Sequence, residues 1–174
     1  MRIEKIESLL VHTGYIVRIT TDTGLSGIGQ TACWGYPAAV QSIVETFSEY
    51  LIGEDPLRIE HHWQALYRSL PFRGNALSGA ISAVDIALWD IKGKHYGAPV
   101  WDLLGGRCRD KVRLHLLIGG DDPDALSRNV EDAKNDGFTA VKFDPLTTGY
   151  ADWTQDQLVR RTQAMCEAAR EAGG

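Results

Sequence analysis

The stretch Ser78–Gly106 reads SGAISAVDIALWDIKGKHYGAPVWDLLGG, and its apolar pattern decides how the chain folds. Between Gly79 and Lys94, apolar residues cover nearly the whole helical wheel. A helix that is apolar all round is buried on more than one side. We therefore predict one long central helix, with Trp89 in its most apolar part.

The two ends of this helix carry signals of their own. Ser78 is a suitable N-cap, because its hydroxyl can accept a hydrogen bond from a backbone N–H of the first turn. Asp90 and Lys94 form a favourable acid–base pair four residues apart. Gly97 followed by Pro99 predicts that the helix ends at this point.

The composition is that of a soluble globular protein. The 174 residues are 44% apolar and 24% charged, with a formal net charge of −5. This acidic balance argues against a nucleic-acid surface, and no apolar run approaches the ~18 residues of a membrane span. The charged N-terminus is unlike a signal peptide, and three widely spaced cysteines favour neither disulfides nor zinc. We expect a cytoplasmic protein that binds neither nucleic acid nor membrane.

Upstream of the central helix, the pattern predicts an antiparallel meander followed by helices. The expected strands are 3–11, 15–20 and 25–31, and the expected helices are 37–51 and 55–70. Strands that precede a run of helices are typical of an α+β domain. We place this domain at residues 1–110.

Beyond residue 110 the order changes to strand, helix, strand, helix. The expected strands are 111–118 and 138–144, and the expected helices are 122–136 and 154–172. This alternation predicts that the two strands pair in parallel.

Three segments together point to a family. The run A-x-S-A-V-D-I-A-L-W-D-I-K-G-K from Ala80, then G-x-P-V-W-D-L-L-G-G from Gly97, closely resembles the signature helix of the mandelate racemase and muconate-lactonising branch of the enolase superfamily. The runs TDTGLSGIGQ at 21–30 and GFTAVKFDP at 137–145 share the resemblance. It implies a capping domain followed by a TIM-type barrel. Since such a barrel takes ~250 residues, residues 111–174 would hold only its first two β/α units, and the barrel is incomplete in this chain.

The second barrel strand ends in two polar residues on one face. Alternate residues of a strand share a face, so Lys142 and Asp144 point one way. Val141 and Phe143 point the other way, toward the outer helices. The polar pair lies roughly 6.6 Å apart at the carboxyl end of the strand, where barrel active sites are built. The spacing alone leaves two interpretations open: a pair satisfied by each other or by solvent, or a cluster that contacts substrate.

The resemblance assigns chemistry to this pair. In the family the strand typically ends in K-x-K, where the second lysine removes the proton α to a carboxylate and the first lowers its pKa. Here the motif is Lys142-Phe143-Asp144, and an aspartate is a weak base near neutral pH. The resemblance therefore implies a dehydratase of acid sugars that relies on a base from another strand, with Lys142 and Asp144 as catalytic residues. A racemase or cycloisomerase of the same family is an alternative.

The resemblance also implies Mg²⁺ as the cofactor of the complete enzyme. The family's ligands are acidic residues at the ends of the third, fourth and fifth barrel strands, which these 174 residues do not include. We therefore expect no metal ligand in this chain and no activity from the chain alone. The histidines expected to have structural roles are His61, His62, His95 and His115.

Loops of the capping domain close over the active site in this family and set its substrate preference. The matching positions here are 12–14, 33–36 and 72–75. Trp34 and Tyr36 are candidates to stack on a sugar, and Arg73 is a candidate to pair with a carboxylate through two hydrogen bonds. The expected substrate is a sugar acid or another carboxylate.

A second hypothesis belongs to another class of function. Two barrel strands alone would present an unpaired edge and an apolar face, and both promote association. The chain would then be a catalytically incomplete fragment that acts as a folding or assembly module. We expect a homo-oligomer, or a complex with a chain that supplies the rest of the barrel.

Overall fold

The computed structural model describes residues 1–11, 14–31, 36–69, 71–146 and 150–174. These residues divide into two units, Met1–Cys108 and Arg109–Gly174, and each unit has its own hydrophobic core. None of the helices in the described ranges combines the length and the apolar character that crossing a membrane requires.

The first unit begins with an antiparallel sheet of three strands in the order β1-β2-β3. The strands are β1 (Ile3–Val11), β2 (Gly14–Thr21) and β3 (Ser26–Thr31). The central strand β2 pairs with both neighbours, so that Val17 lies opposite Ser8 on one side and Gly29 on the other. Every second residue from Tyr15 to Thr21 is buried, because one face of the sheet lies on the core. The predicted meander is confirmed.

Four helices complete the first unit. They are α1 (Pro37–Leu51), α2 (Ile59–Arg68), α3 (Asn75–Tyr96) and the single-turn α4 (Val100–Leu103). The bounds of α1 are as predicted. The prediction that α2 begins at Asp55 is wrong, because the Asp55 carboxylate accepts a hydrogen bond from the Leu57 N–H at 2.9 Å and holds a turn there. Leu70, the predicted end of α2, lies outside the described residues.

The central helix α3 starts earlier than its sequence pattern indicated. Its N-cap is Gly74, so the prediction of Ser78 as N-cap is wrong. The Ser78 N–H donates to the Gly74 carbonyl at 3.0 Å, which places Ser78 within the first turn. The C-terminal end is as predicted, because Gly97 adopts the left-handed conformation, with φ 62°, and closes the last turn.

The helix α3 packs against β2, β3, α1 and α2, so it is buried on more than one side, as predicted. Its buried apolar residues are Leu77, Ala80, Ile81, Ala83, Val84, Ala87, Leu88 and Ile91. Trp89, expected in the interior, is only partly buried, and the Lys92 ammonium lies 5.0 Å from the centre of its ring. Ile86 is 46% exposed. The apolar pattern therefore overstated how much of this helix the unit covers.

The helix α3 and the strand β3 come close together because both present small residues. A Cβ atom added to Gly27 would lie 2.1 Å from the Ala87 carbonyl oxygen, and one added to Gly29 would lie 1.8 Å from that of Ala83. No side chain fits in this space, so the helix backbone rests on the strand backbone. The two glycines of the S-G-I-G-Q run are therefore packing residues.

Two side chains of α3 bond the outer edge of β3. The Asp90 carboxylate accepts the Ile28 N–H at 2.9 Å, and the Lys94 ammonium donates to the Ser26 carbonyl at 2.8 Å. The predicted ion pair between Asp90 and Lys94 is present, at 2.7 Å. The pair thus occupies backbone groups that an edge strand would otherwise offer to another strand.

The second unit has the predicted order of strand, helix, strand, helix. Its elements are β4 (Leu116–Leu117), α5 (Pro123–Asn135), β5 (Val141–Lys142), a 3-10 turn (Tyr150–Asp152) and α6 (Gln155–Gly173). The two strands pair in parallel, as predicted, with Leu116 opposite Val141. Both strands are shorter than the predicted 111–118 and 138–144. The Arg113 side chain donates to the Thr139 hydroxyl at 2.8 Å and to the Thr139 carbonyl, so a side chain bonds the backbone where a ladder was expected.

Both helices of the second unit begin with the predicted caps. The Asp122 carboxylate accepts the Ala125 N–H at 2.7 Å. Thr154 and Gln157 form a reciprocal capping box at the start of α6. The helices pack on each other around the buried residues Leu126, Val130 and Met165.

The close contact of α3 with β3 leads to a prediction about stability. Gly29→Ala should destabilise the first unit, because the added methyl group must push the helix backbone away from the strand. Overpacking a core typically costs ~1–3 kcal/mol, and backbone atoms cannot turn aside as a side chain can. We expect a loss near the upper end of that range, or above it, in urea unfolding. Gly119→Ala is the control, since no atom lies within 4 Å of its added Cβ. Equal losses in the two variants would contradict the close packing.

Asp85 makes the stability of the first unit depend on pH. It is half-buried on α3, and burial raises the pKa of its carboxyl, with a further contribution from the negative charge of Glu60. The folded state therefore holds this proton more tightly than the unfolded state. The resulting stabilisation is present below the unfolded-state pKa and is lost as the pH rises through the folded-state pKa. At neutral pH, ionised Asp85 lowers stability.

Asp85→Asn should therefore raise the melting temperature at neutral pH, because the amide keeps the shape of the side chain and removes its charge. The gain in melting temperature should shrink as the pH falls toward 3.8, the ordinary pKa of an aspartate, because Asp85 of the parent protein then becomes protonated. Thermal unfolding at a series of pH values measures this. Asp102→Asn, at an exposed position on α4, should give no such gain. A gain that persists unchanged in acid would show that burial of charge is not its cause.

Candidate functional site

Lys142 is the last residue of β5, and its side chain is exposed. Its neighbours Val141 and Phe143 pack on the other face, against the buried cluster between α5 and α6. The predicted division of this strand into a helix-facing side and an open side is therefore confirmed. Within the described part of the chain, no ion pair or hydrogen bond engages the Lys142 ammonium.

Asp144 lies two residues beyond Lys142 and is exposed as well. Its Oδ1 accepts a hydrogen bond from the Leu146 N–H at 2.9 Å. A bond from an aspartate to the backbone two residues on makes an Asx turn, which fixes the local loop. Among the described contacts, none joins Asp144 to Lys142. The two residues therefore do not satisfy each other, and a positive and a negative group both face solvent at the carboxyl end of β5.

A third residue beside this pair was not predicted from the sequence. Arg161 of α6 donates from Nε to the Pro145 carbonyl at 3.1 Å and from one terminal nitrogen to the Asp121 carbonyl at 2.7 Å. Its guanidinium carbon also lies 5.7 Å from the centre of the Trp153 ring. The two carbonyls are 16 and 40 residues away along the chain. No local sequence pattern could have indicated these bonds.

The predicted substrate-binding residues belong to the first unit. Tyr36 precedes α1 and is 68% exposed. Arg73 precedes α3, and its guanidinium carbon lies 4.2 Å from the centre of the Tyr67 ring. That ring stacks on Trp63 at 4.7 Å with an angle of 12° between the planes. Among the described contacts no hydrogen bond or ion pair engages Arg73, so its N–H donors are available to pair with a carboxylate.

Part of the predicted substrate contact falls where the structure gives no description. Trp34 lies outside the described residues, together with positions 12–13 and the rest of 32–35. Of the predicted aromatic pair, only Tyr36 is therefore placed, and the described contacts include none between Tyr36 and Arg73.

His62 has the structural role that was predicted for it. It is fully buried on α2, and its Nε2 lies 2.8 Å from the Asp55 carbonyl oxygen. Because a carbonyl can only accept, Nε2 donates, and Nδ1 accepts from the Tyr50 hydroxyl at 3.0 Å. Burial raises the pKa of Tyr50, which keeps that hydroxyl protonated as a donor. His62 thus ties α1 and the following turn to α2.

A metal centre needs several ligands in one place. Across the described ranges, no three side chains of His, Cys, Asp or Glu come together in a way that could hold a metal ion. Magnesium takes oxygen ligands in near-octahedral geometry, usually including carboxylates. The described residues therefore do not fit Mg²⁺.

The first unit matches the family model of the mandelate racemase / muconate lactonizing enzyme N-terminal domain over residues 7–105. The match covers more than half of the chain. The protein therefore belongs to the mandelate racemase and muconate lactonizing branch of the enolase superfamily. The predicted fold class, an α+β capping domain with an antiparallel meander and helices, is confirmed.

Similar proteins include enzymes of sugar-acid metabolism. The D-galactonate dehydratase of Verminephrobacter eiseniae is 45% identical over 128 residues, which make up 73% of this chain and 34% of that protein. A member of the enolase superfamily from Salmonella Typhimurium has a TM-score of 0.89 at 28% identity, over 99% of this chain and 52% of its own. An enolase from Pantoea ananatis with bound D-gluconate and Mg has a TM-score of 0.74 at 34% identity, over 82% of this chain and 36% of its own. The chain spans about a third of the length of the curated relatives it matches.

Proposed function

We propose that this chain is the capping domain and first barrel segment of an acid-sugar dehydratase. The reaction would remove the proton α to the carboxylate of a sugar acid and then expel the β-hydroxyl as water. The observation that carries the proposal is the 45% identity to a D-galactonate dehydratase over 128 residues. It is supported by the exposed Lys142 and Asp144 beside the end of β5.

We assign residues 111–174 to the first two β/α units of a TIM-type barrel. The support is that β4 and β5 pair in parallel, and that each is followed by a helix. In such barrels the active site is built at the carboxyl ends of the strands. Lys142 ends β5, so the proposal puts its ammonium group at the active site.

In this proposal Lys142 binds the carboxylate of the substrate. Its ammonium is exposed and has no ion-pair partner among the described residues, so an anion can approach it. Negative charge grows on the substrate carboxylate as the α-proton leaves. A fixed positive charge therefore stabilises the transition state more than the bound substrate, which is what raises the rate.

Asp144 has a different part in the proposal. Its Oδ1 remains on the Leu146 N–H, so its other oxygen is the one that can accept a hydrogen bond from a substrate hydroxyl. A sugar acid carries a carboxylate and several hydroxyls, which suits a lysine and an aspartate side by side. The base that removes the α-proton is not assigned to a residue of this chain.

Three residues of the capping domain are candidates for substrate binding. We propose that Trp34 and Tyr36 stack on the carbon chain of the sugar acid, and that Arg73 pairs with an anionic group. Arg73 is suited to this because it lies beside the Tyr67 ring, and no described hydrogen bond or ion pair engages its N–H donors. We further propose that the whole enzyme depends on Mg²⁺. The described residues do not fit this ion, so its ligands would lie outside them.

The 174-residue chain alone should show no dehydration of D-galactonate or D-gluconate, with or without Mg²⁺, because the reacting carboxylate lacks a metal counter-charge. Formation of the 2-keto-3-deoxy acid measures the reaction. A longer chain, or a second chain that supplies further barrel strands, should restore it. Turnover by the purified 174-residue chain would contradict the proposed division of the active site.

In such a restored enzyme, Lys142→Ala should lower kcat/KM by about 100-fold or more, the usual cost of removing one group that stabilises developing charge. Lys111→Ala, at another exposed lysine of the second unit, is the control and should leave kcat/KM unchanged. Melting temperatures of both variants should match the parent. Equal activity of the two variants would remove Lys142 from the site.

A second candidate function, an assembly module, is favoured by exposed apolar side chains near β4. Val112 and Leu117 are each 69% exposed, and Leu114 is 67% exposed. An exposed apolar patch is typical of an interaction site. We propose that it promotes self-association of the chain.

Light scattering at micromolar concentration should therefore give a mass above that of one chain. Leu117→Glu should lower the measured mass, because a carboxylate in an apolar contact is costly to bury. Val159→Glu, at an exposed position on α6, is the control and should leave the mass unchanged. A monodisperse monomer of the parent protein would exclude this candidate.

We also propose that the protein works in the cytoplasm. Cys108 and Cys166 are both exposed free thiols. A reducing compartment keeps such thiols from forming disulfides, which supports this location.

A further inference from the structure

Arg161 contacts three separate segments of the second unit. Its Nε bonds the carbonyl of Pro145, the residue directly after Asp144. One terminal nitrogen bonds the carbonyl of Asp121, in the loop between β4 and α5. The face of the guanidinium lies near Trp153, just before α6, with 5.7 Å between its carbon and the ring centre. This distance is within the range of a cation–π contact.

The geometry of these bonds suits an arginine. The guanidinium is planar and carries five N–H donors in a fixed fork, so it can hold two carbonyls and a ring at the same time. A lysine ammonium carries its three donors on one nitrogen, so it would have to reach both carbonyls from a single point. The helix α6 that carries Arg161 is anchored by its capping box and by Met165 in the core. The guanidinium is therefore a rigid support for two otherwise separate loops.

The loop after β4 has one further support. The Asn129 side chain of α5 donates to the Gly119 carbonyl at 2.7 Å, and Asp122 caps α5. The loop after β5 is held at its start by the bond from the Leu146 N–H to Asp144. Arg161 joins the first loop, which α5 holds, to the second loop, which carries Asp144.

We propose that Arg161 is a positioning residue for the candidate site. By bonding the carbonyls of Asp121 and Pro145, it fixes the loop after β5 so that the Asp144 carboxylate keeps its bond to Leu146 and faces the same side as Lys142. The guanidinium acts on the backbone and does not neutralise Asp144, with which it shares no ion pair among the described contacts. The role of Arg161 in catalysis rests on the proposed function of Lys142 and Asp144.

The test uses NMR of the whole 174-residue chain, so that it does not depend on catalytic activity. Arg161→Lys keeps the charge and removes the fork. We expect the Leu146 amide to exchange with solvent about tenfold faster, as the loss of a supporting hydrogen bond allows. The carboxyl carbon signal of Asp144 should shift at neutral pH, while the signals of Val130 and Met165 in the core stay in place.

Arg160→Gln is the matched control, because Arg160 is the neighbour of Arg161 on α6 and makes an exposed ion pair with Asp156. It should change neither the Leu146 exchange rate nor the Asp144 signal. The inference is overturned if Arg161→Lys leaves both signals as in the parent, or if Arg160→Gln produces the same changes.

A second variant decides the outcome if Arg161→Lys disturbs the core signals. Trp153→Leu removes the ring that lies against the guanidinium and leaves both carbonyl bonds possible. It should accelerate Leu146 exchange in the same direction but by a smaller factor, with the core signals unchanged. An unchanged exchange rate in this variant would overturn the inference. If a longer parent enzyme showed no dehydratase activity although the Leu146 and Asp144 signals responded to Arg161→Lys as expected, the proposed function would be wrong. This role of Arg161 would still stand.

Discussion

The contact between the backbones of α3 and β3 is the constraint on which the first unit depends. Gly27 and Gly29 face Ala87 and Ala83, and a Cβ on either glycine would overlap a carbonyl oxygen of the helix. Because the helix lies so close, Asp90 and Lys94 reach the edge of the strand and bond its backbone. The close approach of α3 to β3 therefore both packs the core of the first unit and protects the outer edge of β3. The helix responsible for both is the one whose sequence resembles the family signature.

Most elements could be predicted because their signals act within one or two turns. The capping box at Thr154 and the left-handed Gly97 are local chemistry that the sequence displays directly. The errors arose where a competing local bond decided the boundary, as at Asp55, whose carboxylate holds a turn in place of a helical start. Trp89 was misplaced for another reason. A pattern of apolar residues shows that a helix is buried, but the neighbours that pack against it determine how deeply each side is covered.

In the candidate site, too, features set by neighbouring residues could be predicted, and features set by distant residues could not. The exposure of Lys142, on the face opposite Val141 and Phe143, followed from alternation along one strand, which needs no knowledge of other elements. The bonds of Arg161 join residues up to 40 positions apart, so they depend on how α6 packs and were not predictable from spacing. The stacked rings beside Arg73 are an intermediate case, because they were missed although a local pattern could have indicated them. Trp63 and Tyr67 are four residues apart on α2, a spacing that places two rings on one helix face and could have indicated the stack.

The direction of the Arg161 bonds has a consequence for the charges of the site. Had this guanidinium paired with Asp144, the carboxylate would be neutralised and drawn away from the Leu146 N–H. Instead it bonds two backbone carbonyls, and Asp144 keeps its place in the Asx turn. Among the described residues, no ion pair engages Lys142 either. An exposed ammonium and an exposed carboxylate therefore lie two residues apart in sequence at the end of β5, with no described bond between them. An ammonium attracts an anionic group, and a carboxylate accepts a hydrogen bond from a hydroxyl. Under the proposed function, a molecule with a carboxylate at one end and hydroxyls along its chain would engage both groups, which is the physical reason for proposing a sugar acid.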